Sequence, residues 1–461
     1  MIHLAHPLTL TEGRLLPAIW RYTLPIIATG VLQLLFNAAD LVVVGQACGS
    51  VSVAAVGTTT AIINLLVNLF IGVSVGAGVT VAHALGAGHA EIVRRTVHTS
   101  IPTALVSGAV LTVVGVLCSR QFLAWMGTPD DVIGLSATYM RIYFCGTIPS
   151  MLYNFGAAIL RAAGETKGPL LYLSAAGVIN VVLNLFFVIA LHMDVAGVAL
   201  ATILSQAVSA VLVLRALMQR QDACKLVLRD IRFYKQQLLK IVSIGLPAGI
   251  QNSLFSISNV LIQSSVNSFG AVVMSGNAAA QNIEGFVYIS MNAFHQTALN
   301  FTGQNYGSGK YDRVAKTERI CLASVCLVGI VLGSAAYLAA NPLLRIYITD
   351  SEEAIGYGVT RLMCICLPYF LCGIMDVTTG LIRGMGYSVQ PMLICILGVC
   401  GMRVLWIYTV FRMPAYHTLP GLYASYPVSW SLTFLCELTV YHILLAKARK
   451  RAAEAPERET I

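Results

Sequence analysis

The sequence predicts an all-α polytopic membrane protein in which twelve transmembrane helices form two homologous six-helix bundles. The chain of 461 residues is 57% hydrophobic and only 11% charged, whereas soluble domains are about 25% charged. Twelve apolar stretches are long enough to cross a ~30 Å hydrocarbon layer as helices, and short loops with Gly or Pro separate most of them. Short motifs of the first half recur in the same order in the second half, which indicates an internal duplication.

The spans are assigned from continuous hydrophobic runs. The first six are residues 18–45, 53–84, 96–118, 136–160, 170–191 and 195–218. The second six are residues 242–266, 276–304, 319–340, 357–382, 390–411 and 427–446. This division predicts an N-terminal lobe at 1–218, an amphipathic linker on the cytoplasmic face at 219–241, a C-terminal lobe at 242–446 and a cytoplasmic tail at 447–461.

The duplication sets the symmetry of the predicted fold. Leu24-Pro25 recurs as Leu246-Pro247, and the sequence LGAGHAEIVRRT at 85–96 recurs as YGSGKYDRVAKT at 306–317. Because each half contains an even number of spans, the two halves are predicted to be parallel and related by a pseudo-two-fold axis along the membrane normal. Two such bundles leave a cleft between them, where an alternating-access transporter binds its substrate.

The distribution of positive charge predicts the orientation. With both termini in the cytoplasm, 23 of the 29 Lys and Arg residues lie on the inner side, as the positive-inside rule requires. We therefore expect a multi-pass protein of a prokaryotic cytoplasmic (inner) membrane. The net charge of +9 is explained by these loops, so nucleic acid is excluded as a partner. The N-terminus lacks the features of a cleaved signal, so the first span is expected to remain as an anchor.

The first span contains a carboxylate where lipid contact would be costly. Gln33, Asn37 and Asp40 follow one another at spacings of four and three, so they share one face of a helix. A carboxylate inside a bilayer costs about 2.5–3.5 kcal/mol on insertion scales. Asp40 is therefore expected to be paired or to bind a cation or proton. The alternative is an Asp that ends the helix among lipid head groups.

Several motifs resemble those of one transporter family. They are Pro25, Gln33, Phe36-Asn37, Asp40 and Gly45 in the first span, GAG at 86–88, Arg161, Gly164 and Pro169, NVVLN at 180–184, Gly197 and Ala201-Thr202, and RGMG at 383–386. In order and spacing they resemble the MATE (multidrug and toxic compound extrusion) family from about residue 15 to 446. The resemblance implies a two-lobed, twelve-helix exporter that exchanges organic cations or drugs for Na⁺ or H⁺.

The same resemblance assigns the ion-coupling site to Asp40, Asn180, Asn184 and Thr202. One carboxylate, two amide carbonyls and a hydroxyl form an all-oxygen set suited to Na⁺ as a metal ligand shell, and a protonated carboxyl would suit a proton-coupled site. Some relatives carry Asp at the position of Asn184, so the coupling ion stays open. The alternative is that these groups only hold neighbouring helices together.

The eighth span carries a polar stripe formed by Gln281, Glu284, Tyr288, Asn292 and His295. Spacings of three and four place all five on one face, which lipid would not tolerate. We expect this face to line the cleft and, together with Gln33 and Asn37, to bind substrate. His295 is more typical of a hydrogen-bonded packing residue than of a titrating site.

Three further charged residues define a possible charge site in the second lobe: Asp376, Arg403 and Glu437. Arg403 lies at a similar depth to Glu284 and Glu437, so it is expected to neutralise one of them and leave the other for substrate. Asp376 is either part of an ion site or a packed, partnered carboxyl.

Motif content limits the function. The sequence has no Walker motif, no HExxH and no Ser/His/Asp arrangement, so we expect no enzyme and no cofactor beyond Na⁺ or H⁺ as coupling ion. The favoured function is secondary active efflux of organic cations or amphipathic drugs by a monomer in the lipid bilayer. The alternatives are a flippase or exporter of lipid-linked saccharides or metabolites within the wider superfamily, or a receptor or structural protein that does not transport.

Overall fold

The computed structural model describes residues 8–48, 50–349 and 351–454, and within these ranges the secondary structure is helical, with no strand. The first half contains α1 to α7, which are Leu15–Ala47, Ser50–Gly86, Ala90–Trp125, Asp130–Cys145, Thr147–Ala162, Lys167–Asn184 and Asp194–Gln219. A π-helical segment, Leu185–Ala190, directly follows α6.

The second half contains ten helices in the described part of the chain. Helices α8 to α12 are Lys235–Asn267, Ala271–Gly307, Tyr311–Leu338, Ala340–Arg345 and Glu352–Cys366. Helices α13 to α17 are Tyr369–Gly384, Val389–Cys395, Met402–Tyr408, Leu419–Tyr423 and Ser425–Glu454. A second π-helical segment, Ile396–Gly401, joins α14 to α15.

All twelve predicted spans coincide with helices. Nine helices in the described ranges are long and apolar enough to cross a membrane, and the pair α12–α13, bent by 43°, forms a tenth span. The two remaining predicted spans, 136–160 and 276–304, coincide with the pair α4–α5 and with α9. The predicted all-α polytopic fold is therefore confirmed.

The compact units do not follow the predicted lobe boundaries. One unit contains Leu24–Ser253, and the other contains Thr9–Thr23 and residues 254–454. The chain therefore changes unit in the middle of α1 and again in the middle of α8. The first part of the leading helix of each half packs against the second helix of the other half.

In the second unit, aromatic contacts hold the first part of α1 against α9. Trp20 meets Phe294 and Tyr22 meets Phe301, both edge to face at a centroid distance of 5.5 Å. The Thr23 hydroxyl lies 2.8 Å from that of Thr297. Edge-to-face aromatic pairs add about 0.5–1.5 kcal/mol beyond the area they bury.

In the first unit, small residues bring α2 against the first part of α8. Gly72 and Gly76 on α2 face Gly245 and Gly249 on α8, so each helix presents a GxxxG pattern. A Cβ atom added at Gly72 would lie 2.1 Å from the backbone nitrogen of Gly249. Only glycine permits this backbone-to-backbone approach.

The linker predicted at 219–241 is a folded part of the first unit. Only one 3₁₀ turn, Leu228–Asp230, forms between α7 and α8. The backbone amide of Val227 donates to Nε2 of His98 at 3.0 Å, and Asp230 pairs with Arg94 of α3. The hydrogen bond from Arg94 lowers the pKa of the Asp230 carboxyl. The linker thus covers the first turns of α3.

Candidate ion-coupling site

Three of the four predicted ion-coupling residues meet inside the first unit. Nδ2 of Asn184 donates to Oδ1 of Asp40 and also to Oδ1 of Asn180, the latter at 3.2 Å. Asn184 is fully buried, Asn180 is 5% exposed and Asp40 is half-buried. Oδ1 of Asn184 is buried and has no hydrogen-bond partner among the described residues. The cluster therefore contains an acceptor oxygen that can receive a proton donor or a cation.

Helix geometry explains this arrangement. Asn180 and Asn184 lie one turn apart on α6 and face the same way. One turn before Asn180, Gly177 leaves room for the ring of Phe36 on α1, since a Cβ atom there would lie 1.8 Å from the ring. This close approach of α1 and α6 lets Asp40, one turn beyond Phe36, reach Asn184. The π-helical segment begins at the next residue, and such segments are frequent at functional sites.

The fourth predicted residue makes a different contact. The Thr202 hydroxyl donates to the carbonyl of Val198 in its own helix at 3.0 Å. Tyr139 on α4, which the sequence reasoning missed, is buried and close enough to Asp40 for the two groups to interact electrostatically. In the sequence its only signal was a tyrosine within an apolar span, which is common in membrane helices.

The predicted substrate-binding residues of α1 remain accessible. Gln33 and Asn37 are both exposed on the helix face that leads to Asp40. The stripe on α9 is less uniform than predicted. Gln281 and Tyr288 are exposed and Asn292 is half-buried, where it accepts a hydrogen bond from Nε2 of Gln296 at 3.0 Å.

The histidine and the carboxylate of the stripe both contact protein partners. His295 is buried and its Nδ1 lies 2.6 Å from the backbone carbonyl of Asp376, as expected of a packing histidine. Glu284 accepts from Nη2 of Arg361 at 2.7 Å and from the Tyr369 hydroxyl at 3.3 Å. The side chains of Arg361 and Glu284 are 3% and 14% exposed. Arg403 therefore does not neutralise Glu284, one of the two carboxyls predicted as its partner.

Arg403 is satisfied by neutral groups of the second unit. Its Nη1 donates to Oδ1 of Asn259 at 3.1 Å and its Nε donates to the Ser429 hydroxyl at 3.4 Å. Its guanidinium lies 4.1 Å from the ring centroid of Tyr426. Arg403 thus pairs with neither Glu284 nor Glu437, because α15 directs it to α8 and to the aromatic side chains of α17.

The other two residues of the possible second-lobe charge site lie near a different arginine. Glu437 is fully buried, and its Oε1 accepts from the Thr379 hydroxyl at 2.8 Å and from the Cys395 thiol at 3.2 Å. Asp376 and Arg383 are both near enough to interact electrostatically with Glu437. The structure therefore replaces Arg403 by Arg383 as the cation of this cluster.

The chemistry available at each cluster differs. In the described ranges, no group of three or more His, Cys, Asp or Glu residues is placed to hold a metal ion. The Asp40 cluster instead combines one carboxylate with neutral amide oxygens, a set that suits an alkali cation or a proton. In the pair of Glu284 and Arg361, the two opposite charges neutralise each other.

The duplicated helical fold and the carboxylate enclosed within one bundle define the class as an integral membrane protein with a candidate ion-coupling site. Family comparison is consistent with this class. The sequence model of the MatE family matches residues 25–186 and again residues 247–409. The chain therefore belongs to the MATE family of multi-pass membrane transporters.

Individual relatives extend over nearly the whole chain. The probable multidrug resistance protein YoeA of Bacillus subtilis is 26% identical over 449 residues, with 95% of this chain and 96% of that protein covered. The probable multidrug resistance protein NorM of Thermotoga maritima is 25% identical, with coverage of 95% and 94%. An outward-facing multidrug resistance MATE family transporter of the MOP superfamily shares the fold, with a TM-score of 0.89, 21% identity and coverage of 97% and 99%.

Proposed function

We propose that the protein is a secondary active exporter that removes organic cations or amphipathic toxic compounds from the cell in exchange for H⁺ or Na⁺. The observation that carries this proposal is the Asp40 cluster in the first bundle. The Asp40 carboxylate accepts from the buried Asn184 amide, which also donates to Asn180 and whose own Oδ1 has no partner among the described residues. The relatives named as multidrug resistance proteins support the substrate class.

The cluster can serve either ion. With Asp40 ionised, the Asn184 amide donates to it. A proton added to Asp40 requires an acceptor, and rotation of the Asn184 amide would present its unfilled Oδ1 to the new donor. A sodium ion would instead use the Asp40 carboxylate with Oδ1 of Asn180 and Asn184. In both cases the contact between α1 and α6 changes with occupancy.

Transport requires that this change favours one conformation over the other. An ion can shift a conformational equilibrium only by its difference in affinity for the two states. One cation that moves inward through 100 mV releases about 2.3 kcal/mol, which corresponds to a roughly fiftyfold gradient of an uncharged substrate. The exposed side chains of Gln33, Asn37, Gln281 and Tyr288 are the candidates for substrate contact.

We also propose a cytoplasmic-membrane location with both termini inside, and a monomer as the transporting unit. The positive-inside distribution supports this orientation. The two termini themselves, residues 1–7 and 455–461, lie outside the described ranges.

The test is efflux of ethidium from proteoliposomes with a pH gradient or a Na⁺ gradient imposed separately. Wild-type protein is expected to respond to one of the two gradients. Asp40→Asn keeps the size of the side chain and one acceptor oxygen but removes its charge, so coupled efflux should fall to the background of empty liposomes. Glu91→Gln is the matched control, because Glu91 lies on the surface in an i,i+4 pair with Arg95, and its efflux should equal wild type. Full gradient-driven efflux by well-folded Asp40→Asn protein would contradict the proposal.

A further inference from the structure

The second unit contains a basic cavity at the predicted cytoplasmic edge of the membrane. Its volume is about 360 Å³, and it is lined by residues of α10 and of the segment that enters α1: Gly13, Leu15, Arg313, Lys316, Arg319 and Ile320. Three cations and two aliphatic side chains thus surround one opening. None of them belongs to the Asp40 cluster or to the polar stripe of α9.

The acidic residues of the same helix cancel only part of the charge of this cavity. Asp312 pairs with Arg449 at 2.9 Å. Glu318 lies 3.3 Å from Nε2 of His442 and also interacts electrostatically with Arg319. Arg313 is engaged with the backbone carbonyls of Gly13 and Glu12 at 3.0 and 3.1 Å, and the nearby Glu12 carboxyl offsets part of its charge. Lys316 and Arg319 are both exposed, so they carry the positive charge that faces outward.

The same face of α10 continues as an apolar surface. Exposed positions follow one another at 316, 319, 323, 327 and 330, spacings of three and four that describe one helix face. The first two are the cations, and the following three are Ala323, Leu327 and Ile330. Leu327 is 60% exposed. In a membrane-spanning helix, an apolar face of this exposure contacts acyl chains.

The first unit does not offer an equivalent site. By the internal repeat, which relates 306–317 to 85–96, the counterpart of Arg319 is His98. There the linker lies over the helix, and the Val227 amide donates to the His98 ring. The two halves therefore differ at this position. In the first half the linker covers it, and in the second half a basic cavity opens beside it.

We propose that this cavity binds the phosphate of an anionic phospholipid, with Lys316 and Arg319 on the head group and the acyl chains along the apolar face of α10. Basic pockets on the cytoplasmic side of membrane proteins suit such head groups. A cation pair directly above a lipid-exposed apolar stripe matches the two parts of a phospholipid and their order along the membrane normal. The site does not depend on the transport function proposed above.

The experiment uses full-length protein in detergent and measures lipid retention by native mass spectrometry. The probes are dioleoyl phosphatidylglycerol, dioleoyl phosphatidylcholine and inorganic phosphate. The test variant is Lys316→Gln with Arg319→Gln. The control is Lys235→Gln with Lys240→Gln, which removes two exposed cations from the equivalent side of the first unit.

Wild type and control should retain phosphatidylglycerol in preference to phosphatidylcholine. The test variant should bind phosphatidylglycerol about thirtyfold more weakly, since each Lys or Arg near an anionic surface contributes about 1 kcal/mol and 1.4 kcal/mol is tenfold in affinity. Its binding of phosphatidylcholine should be unchanged. Equal retention of phosphatidylglycerol by test and control variants would overturn the proposal. Displacement of the lipid by inorganic phosphate at equal concentration would also overturn it, because the site would then recognise free phosphate without the acyl chains.

Discussion

The two halves of the chain share a scaffold but carry opposite charge at equivalent helices. In the first unit, α1 meets α6 through Asp40 and the Asn184 amide, which also donates to Asn180. In the second unit, the corresponding leading helix α8 meets α15 through Asn259 and Arg403. Where the first unit has a carboxylate that suits a cation, the equivalent helices of the second unit therefore carry a permanently charged arginine. Duplication preserves where polar groups meet between helices, whereas side-chain identity decides which ion that place can accept.

A second pair of equivalent helices also differs in charge, with a neutral tyrosine in the first unit and an arginine in the second. Helix α4 places Tyr139 near Asp40, whereas the equivalent helix α12 places Arg361 against Glu284. Arg361 is further held by Oδ1 of Asn277 at 2.8 Å. The second unit therefore uses its buried arginines for internal contacts. We expect the ion-dependent step to reside in the first unit and the second unit to depend on its charges for stability.

The largest expected effect on stability comes from the Glu284 and Arg361 pair. Glu284→Gln leaves Arg361 as a buried cation without its anion, which costs about 3–5 kcal/mol, whereas replacement of both partners by apolar residues is often neutral. The thermal unfolding temperature of the detergent-solubilised protein should fall for Glu284→Gln. It should recover substantially in Glu284→Leu with Arg361→Leu. Additive losses in the double variant would show that the pair has no mutual role.

Arg403 provides a direct contrast with Asp40. Arg403→Gln removes hydrogen bonds to Asn259 and Ser429 and a cation–π contact with Tyr426. We expect a loss of about 2 kcal/mol in stability, seen as a lower unfolding temperature, while ion-gradient dependence stays as in wild type. If Arg403→Gln altered the choice between H⁺ and Na⁺ without loss of stability, the assignment of ion coupling to the first unit alone would be wrong.

The smallest expected effect is a change of ion dependence in the first unit. Asn184→Asp places a second carboxyl beside Asp40 and retains the oxygen atoms, so transport should persist. Two carboxyls at one site disfavour double ionisation, so the efflux rate as a function of pH or Na⁺ concentration should shift. Asn282→Asp, at an exposed position of α9 outside the polar stripe, is the control for an added carboxyl elsewhere. A profile identical to wild type would place Asn184 outside the ion site.

Much of this architecture could be predicted from the sequence, because the relevant information is local. Hydrophobic run length determines whether a helix can span a bilayer, and all twelve predicted spans coincide with helices. Helical periodicity places Asn180 and Asn184 on one face, and the family resemblance added Asp40 to the same site. These three residues do meet in the structure. Their role in ion coupling stays a prediction.

Tertiary structure alone decided which distant groups pair. Arg361 and Arg403 both lie within spans of the second half, and sequence reasoning selected Arg403 as the partner of Glu284 or Glu437. Depth along a helix follows from counting residues, but the rotation of that helix within the bundle does not. Packing of α12 on α9 turned Arg361 towards Glu284, and packing of α15 turned Arg403 towards Asn259. The sequence also did not reveal that the chain changes unit within α1 and α8. A continuous apolar helix contains no local sequence feature that shows which neighbour each part of it will contact.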